Sequence, residues 1–409
     1  MSQRYCKVSE LKPIFHALCL FIAAQLCFAQ TPDLKKSFVK ESIRGKTSII
    51  KNADPAESGF TELCLFSLRF IQMNHFLLPA DEDFILLARE TVKKIPASAH
   101  PDVLPLLESI FSMTEHTALQ KDILENLIGA ADSPSFQASV FHTSASIVQL
   151  INTYTEQRLA SYTKEGSPSA SDSGILKTAI EVLGKFKNAS SFPVLFSCFL
   201  ASDTDISNTA ERSLDSFAGI YDKQIRAVIA SGTIKEKKRA LDLVLNNPKN
   251  SDFFKAEMSE NTLSQTIKKN PGPEETEKER IALKMQAVRE LYRVSWTRSP
   301  SLMREVFTAA RKEYAEGLLT DTQFIEIMYA FTRLASAEAG SLLSNYLKEL
   351  NKAQEENKDV STPVVLAVIQ SLQLLGDKTA FDDLLYATYQ AYPEEVLSAA
   401  RDALSKLKW

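Results

Sequence analysis

The chain has 409 residues, 44% of them hydrophobic, and a formal net charge of −4. This is enough apolar material for a sizeable core, and the charge is too small to imply nucleic acid when no basic stripe lies along a helix face. Only 12 glycines and 16 prolines interrupt long runs rich in Ala, Leu, Glu and Lys, and alternating β-patterned runs are nearly absent, so the sequence predicts an all-α protein.

Arg4, Lys7 and Lys12 precede an apolar run from Pro13 to Ala29, broken only by His16 and Gln25 and followed by Gln30-Thr31-Pro32-Asp33. Basic, apolar, small and then polar is the order of a secretory signal peptide. Residues 1–29 are therefore expected to be removed after Ala29, which places the mature chain in the periplasm or cell envelope. An uncleaved membrane anchor is the competing expectation. Cys64 and Cys198 remain in the mature chain, each inside an apolar run. In an array of ~40-residue repeats they would lie several repeats apart. That exceeds the ~7 Å reach of a disulfide, so buried free thiols are expected.

Residues 30–58 form a polar, lysine-rich connector (Lys35, Lys36, Lys40, Arg44, Lys46, Lys51). It reads as a flexible tether or as a basic arm for an anionic membrane surface. Gly45-Lys46-Thr47 copies the tail of a phosphate loop, but Lys40 stands where the partner glycine belongs and no apolar strand precedes it.

Residues 59–162 are expected to be N-terminal helical repeats. Phe60 to Leu78 is apolar on nearly every side, yet Glu62, Arg69, Asn74 and His75 argue against a membrane span. Such a helix is buried by neighbours or touches another subunit. Asp81 to Ile95, Pro101 to Met113 and Thr117 to Ala130 read as amphipathic helices, and a long helix or broken pair runs from Ser135 to about Tyr162. Residues 163–174, TKEGSPSASDSG, form a flexible loop or a boundary.

Residues 175–409 carry an internal repeat. Val364, Val368, Leu372 and Leu375 share one helical face, and Gly376 stands where a left-handed helix end favours glycine. Thr379-x-x-Asp382 resembles a capping box, opening a helix with Phe381, Leu384 and Leu385. Pro393 then precedes Glu394 and Glu395 at a helix start, and Val396, Ala400, Leu404 and Leu407 continue the apolar face. Ile180-x-x-Leu183-Gly184 parallels Leu372-x-x-Leu375-Gly376, Phe192, Leu195 and Phe196 parallel Phe381, Leu384 and Leu385, and Ile206, Ala210 and Leu214 parallel Val396, Ala400 and Leu404. Between the copies, Met285, Val288, Tyr292 and Trp296 are expected on one helix face, with Trp296 packed in the core.

These units resemble the HEAT-repeat family of α-solenoids, on Leu375-Gly376-Asp377-Lys378 with Ala380, Leu384 and Leu385, then Val396, Ala399, Ala400, Ala403 and Leu404. Leu183-Gly184-Lys185 with Leu195, Ile206, Ala210 and Leu214 is the second copy. The resemblance implies stacked antiparallel helix pairs and a non-enzymatic scaffold. One departure is that Leu397 and Ser207 stand where many family members carry Arg, which weakens any inter-repeat ion-pair ladder.

No catalytic or cofactor motif occurs, and no cofactor is expected. His75, His100, His116 and His142 lack the short fixed spacing of metal ligands. Tyr386, Tyr389, Tyr392 and Trp409 are candidate partner-binding residues or, alternatively, a cap over the terminal repeat. The leading expectation is an exported adaptor that holds a protein partner, with no nucleic acid and with membrane association only through its N-terminus. The alternatives are a metal-dependent or lyase-like enzyme using the N-terminal helices, and a structural homo-oligomer built through Phe60–Leu78.

Overall fold

The computed structural model describes residues 34–133, 145–164, 170–268 and 276–408. The signal segment 1–29, His142 and Trp409 lie outside these residues. The described residues form helices and no β-strand, so the protein is all-α. None of the described helices is long and apolar enough to cross a membrane. Two compact units divide between Ser213 and Leu214.

The first unit holds α1 (Leu34–Lys40), α2 (Ile43–Asn52), α3 (Phe60–Met73), α4 (Glu82–Lys94), α5 (Val103–Met113), α6 (Thr117–Ala130), α7 (Ala145–Lys164), α8 (Ala170–Phe186) and α9 (Phe192–Phe199). The division falls within the last turn of helix α10 (Thr204–Asp215). The second unit holds α11 (Asp222–Ser231), α12 (Ile234–Asn246), α13 (Asp252–Lys268), α14 (Glu277–Arg293), α15 (Pro300–Ala315), α16 (Asp321–Leu334), α17 (Ser336–Glu355), α18 (Thr362–Leu375), α19 (Phe381–Ala387) and α20 (Glu394–Ser405).

Within each unit, helices pack on their neighbours in sequence and on the next but one. The odd helices α1, α3, α5, α7 and α9 make one rank and α2, α4, α6 and α8 a second. In the second unit the ranks are α11 to α19 and α12 to α20. Side chains tie one helix pair to the next at recurring separations. Arg69 Nη2 donates to Asp102 at 2.6 Å, 33 residues on, Arg89 Nε to Asp122 at 2.5 Å, again 33 on, and Arg289 Nε to Glu326 at 2.8 Å, 37 on. Tyr329 donates to Gln370 at 2.7 Å across 41 residues. Ion pairs therefore join helices two apart in sequence, at positions other than Leu397 and Ser207.

Helix starts follow side-chain chemistry. Thr233 with Glu236, Thr276 with Glu279 and Thr320 with Gln323 each form a reciprocal capping box. Three helices end on a left-handed residue at Ser295, Gly317 and Asn357. Their six-residue bonds run from Trp296 N to Leu291 O, Leu318 N to Glu313 O and Lys358 N to Ala353 O.

Two boundaries differ from expectation. The connector 30–58 is not a tether over its described part: α1 and α2 bury Phe38 and Ile50 completely. Two of its cations pair locally, Arg44 with Asp83 at 2.7 Å and Lys35 with Glu62 at 3.1 Å. Lys46 lies over the rings of Phe38 and Phe70 and is itself buried. The polar run 163–174 likewise contributes the end of α7 and the first turn of α8, which packs on α6 and α7. Cys64 and Cys198 are free and buried.

The two stretches share a backbone pattern in which Phe192 and Phe381 correspond as read in sequence, while the helix before each is one turn away from the register read. Gly376 ends α18 at φ 64, with its N–H on Leu372 O at 2.9 Å. Asp377 then accepts from Thr379 N at 2.9 Å, and α19 opens at Phe381. Asp377, not Thr379, is thus the capping residue. In the other copy Lys187, at φ 50, bonds Leu183 O, Asn188 accepts from Ser190 N at 2.9 Å, and α9 opens at Phe192. Lys187 is therefore the counterpart of Gly376. Gly184 lies inside α8, where an added Cβ would meet Ser213 Oγ at 2.6 Å. A non-glycine residue in the left-handed region is held there at a cost of ~1–2 kcal/mol. Lys187→Gly is expected to stabilise the protein by ~1 kcal/mol, read as a higher urea midpoint; a lower midpoint would show that Lys187 is not strained. Leu384, with no exposed surface, anchors the α19 face, and Leu384→Ala is expected to cost ~2–5 kcal/mol in a melting experiment.

Candidate functional site

The three described terminal aromatics predicted as anchors, Tyr386, Tyr389 and Tyr392, differ in exposure. Tyr389 is 76% exposed and Tyr386 42%. The Tyr386 hydroxyl donates to Glu355 Oε2 at 3.0 Å, which fixes the ring against α17. Tyr392 is the correction: it is buried, and its hydroxyl has no hydrogen-bond partner among the described residues. The irregular stretch between α19 and α20 turns its ring inward, so it packs in the interior and is not offered at the surface. Tyr389 and Tyr386 are left as surface candidates.

Burial pushes the Tyr392 hydroxyl from 10.0 up to about 12. Burial likewise pushes the Cys64 and Cys198 thiols from 9.0 up to about 12. In each case the fold favours the neutral, protonated form, so the stabilisation is complete below the unfolded value and is lost as pH rises through the folded one. The melting temperature is expected to fall progressively from pH 9 towards 12, and less steeply in Tyr392→Phe. Parallel curves for the two proteins would remove Tyr392 from the effect.

A larger aromatic group lies in the second unit. Phe253, at the start of α13, is 53% exposed, and Tyr292, in the last turn of α14, is 39% exposed. Trp296 was expected to extend the α14 face, but the helix stops at Arg293. The left-handed turn at Ser295, φ 55, redirects the chain. The half-buried indole then donates to Glu260 Oε2 at 2.6 Å and meets Phe253 edge-to-face at 5.3 Å. Arg298 spreads over both rings, 5.4 Å from Phe253 and 5.3 Å from Trp296. Arg333, at the end of α16, covers Tyr292 at 4.9 Å and donates to Ser295 Oγ at 2.5 Å. Sequence periodicity missed this group because it ran α14 one turn too far.

Carboxylates border the group, and each is engaged. Glu257 takes Arg226 through both oxygens at 2.5 and 2.8 Å, a hydrogen bond that holds its carboxyl below the usual range. Asp252, held low by the same kind of bond, and Glu290 share Arg293. Arg298 and Arg333 have no ion pair among the described residues.

The first unit has a cleft of about 640 Å³ between α5, α6 and α7. In its wall the Tyr154 hydroxyl donates to Gln120 Oε1 at 3.0 Å and accepts from Arg158 Nε at 3.1 Å, while Gln120 Nε2 donates to Thr114 O at 2.8 Å. Phe111 backs Tyr154 edge-to-face at 5.0 Å. Burial raises the Tyr154 hydroxyl above its ordinary value against the opposing pull of Arg158. Tyr154, Gln120 and Arg158 are thus joined in one hydrogen-bonded network in that wall.

No known family model matches the chain, and no curated protein matches it. The histidines are in use where they can be described: His116 Nδ1 accepts from Leu119 N at 3.3 Å as the cap of α6, and His100 Nδ1 accepts from Asp102 N at 3.1 Å. Among the described residues no group of His, Cys, Asp and Glu could hold a metal ion.

Proposed function

We propose that the chain is an exported, HEAT-like α-solenoid that works as a non-enzymatic scaffold, holding a protein partner on its helical surface. Periodic packing supports the solenoid: each unit has two ranks of helices. Bonds such as Arg226–Glu257 and Tyr162–Asp203, 31 and 41 residues apart, match the length of one helix pair. The same stacking uses up the apolar faces and leaves the exposed aromatics and arginines as contact chemistry, the residue types that dominate protein interfaces. The order of residues 1–33 supports export, and a mature N-terminus at Gln30 would support cleavage after Ala29.

Photo-crosslinking residues placed at Tyr389 and at Phe253 of the full chain, in its own cells, test this role. A discrete adduct with a second protein from either position is expected. Adducts only with further copies of the chain would instead favour the homo-oligomer. That second reading draws on α3 and the turn after it, where Phe66, Met73 and Phe76 are 36%, 68% and 64% exposed.

A further inference from the structure

We propose that Phe253, Tyr292, Trp296, Arg298 and Arg333 form the docking surface for an acidic segment of the partner protein; this rests on the partner-binding role above. Both arginines are exposed, and both lie on ring faces. A guanidinium stacked in this way presents its planar N–H edge to an oxyanion, and at Arg333 one N–H of that edge is already held by Ser295 Oγ. The surrounding ring edges and the exposed Phe253 supply apolar area for an anchor beside each charge.

The charge pattern selects the occupant. Glu257 is matched by Arg226, Asp252 and Glu290 by Arg293, and Glu260 by the Trp296 indole. The surface thus carries four carboxylates and four arginines, and Arg298 and Arg333 are the two cations without an ion pair among the described residues, which acidic groups of an incoming segment can meet. Arginine on aromatic platforms is also found under nucleic-acid bases. Here, however, the four bordering carboxylates exceed Arg226 and Arg293 by two charges, and that excess repels a continuous phosphate backbone. A peptide with carboxylates spaced between apolar residues meets Arg298 and Arg333 and avoids those acids.

The sequence has two tryptophans, so Trp409→Phe in the full chain leaves Trp296 as the reporter. Fluorescence is titrated with a synthetic peptide of alternating Glu and Leu, with its Lys-for-Glu counterpart, and with a single-stranded oligothymidylate. Saturable binding of the acidic peptide is expected, falling with salt and weakened roughly tenfold or more in Arg298→Gln/Arg333→Gln. Circular dichroism of that variant is expected to be unchanged, and Phe253→Ser provides a second, uncharged test of the same surface. Equal binding of the acidic and lysine peptides, unchanged affinity in the double variant, or binding of the oligothymidylate alone would overturn the proposal. The photo-crosslinking experiment separates its failure from that of the scaffold role. A partner adduct at Phe253 or Tyr389 that is equally strong in the double variant removes this surface and keeps the scaffold; no adduct with any other protein removes both.

Discussion

Glu313→Ala is expected to lower the stability of the protein by ~3–5 kcal/mol, the scale for stranding a buried charge. Glu313, on α15, faces two cations from α14. It accepts from Arg280 Nη2 at 2.5 Å through one oxygen and pairs with Lys284 through the other. Lys284 has no exposed surface, and Arg280 and Glu313 are 8% and 7% exposed. Arg280 has further acceptors in Glu277 at 2.7 Å and Thr266 O at 3.3 Å, so Lys284 is the group left without an anion. Urea denaturation of the full chain checks the loss. Lys284→Met in the same background is expected to restore most of it, because an apolar chain of similar length needs no counter-ion. A single variant within ~1 kcal/mol of the parent would mean that the cluster reaches water on removal of Glu313. Burial holds the Lys284 ammonium below its ordinary 10.5, outweighing the pull of Glu313. The unfolded chain therefore binds more protons than the fold in that window, and this site's contribution grows as pH rises towards 10.5, opposite in sign to the loss from the thiols and Tyr392.

Phe307→Ala is the second large effect, again ~3–5 kcal/mol. The ring stacks on Phe331 at 4.7 Å and 8°, lies parallel to Phe324 at 6.0 Å, and meets Tyr346 edge-to-face at 6.3 Å. One side chain of α15 thus joins α16 and α17, and its removal leaves a cavity lined by rings that cannot collapse towards one another. Phe307→Leu is expected to recover more than half of the loss. A double-mutant cycle with Phe331→Ala should show coupling of ~0.5–1.5 kcal/mol beyond the buried area. Additive losses would mean that the rings merely share a core.

The helices were legible in the sequence because apolar spacing and polar flanks agree over most of the chain, as at Asp81 to Ile95, where Asp81 caps α4. Registers were less so. Shifting by one turn keeps the same residues on the same face, so Leu183 and Gly184 could be laid on Leu375 and Gly376 with no loss of pattern, although the backbone matches Lys187 to Gly376. Position 187 carried no signal because a lysine does not advertise a left-handed conformation. The same limit applied at Ser295, and with it the whole Phe253–Trp296–Arg298 group. The 30–58 stretch was misread because its apolar residues are few; Phe38 and Ile50 suffice once α3 and α4 supply the other wall. Of the candidate anchors, Tyr386 is exposed on α19, but no periodicity extends to Tyr392, which stands between helices.

In each unit the helix contacts join neighbours in sequence or the next but one. Few long loops must close before native contacts form, and low contact order favours fast folding. Growth can begin at any helix pair and spread in both directions along the two ranks. A lesion at Phe307 should then slow propagation past α15 while α18 to α20 still assemble on one another, so that proteolysis of the variant trims from the lesion outward and does not erase the chain at once.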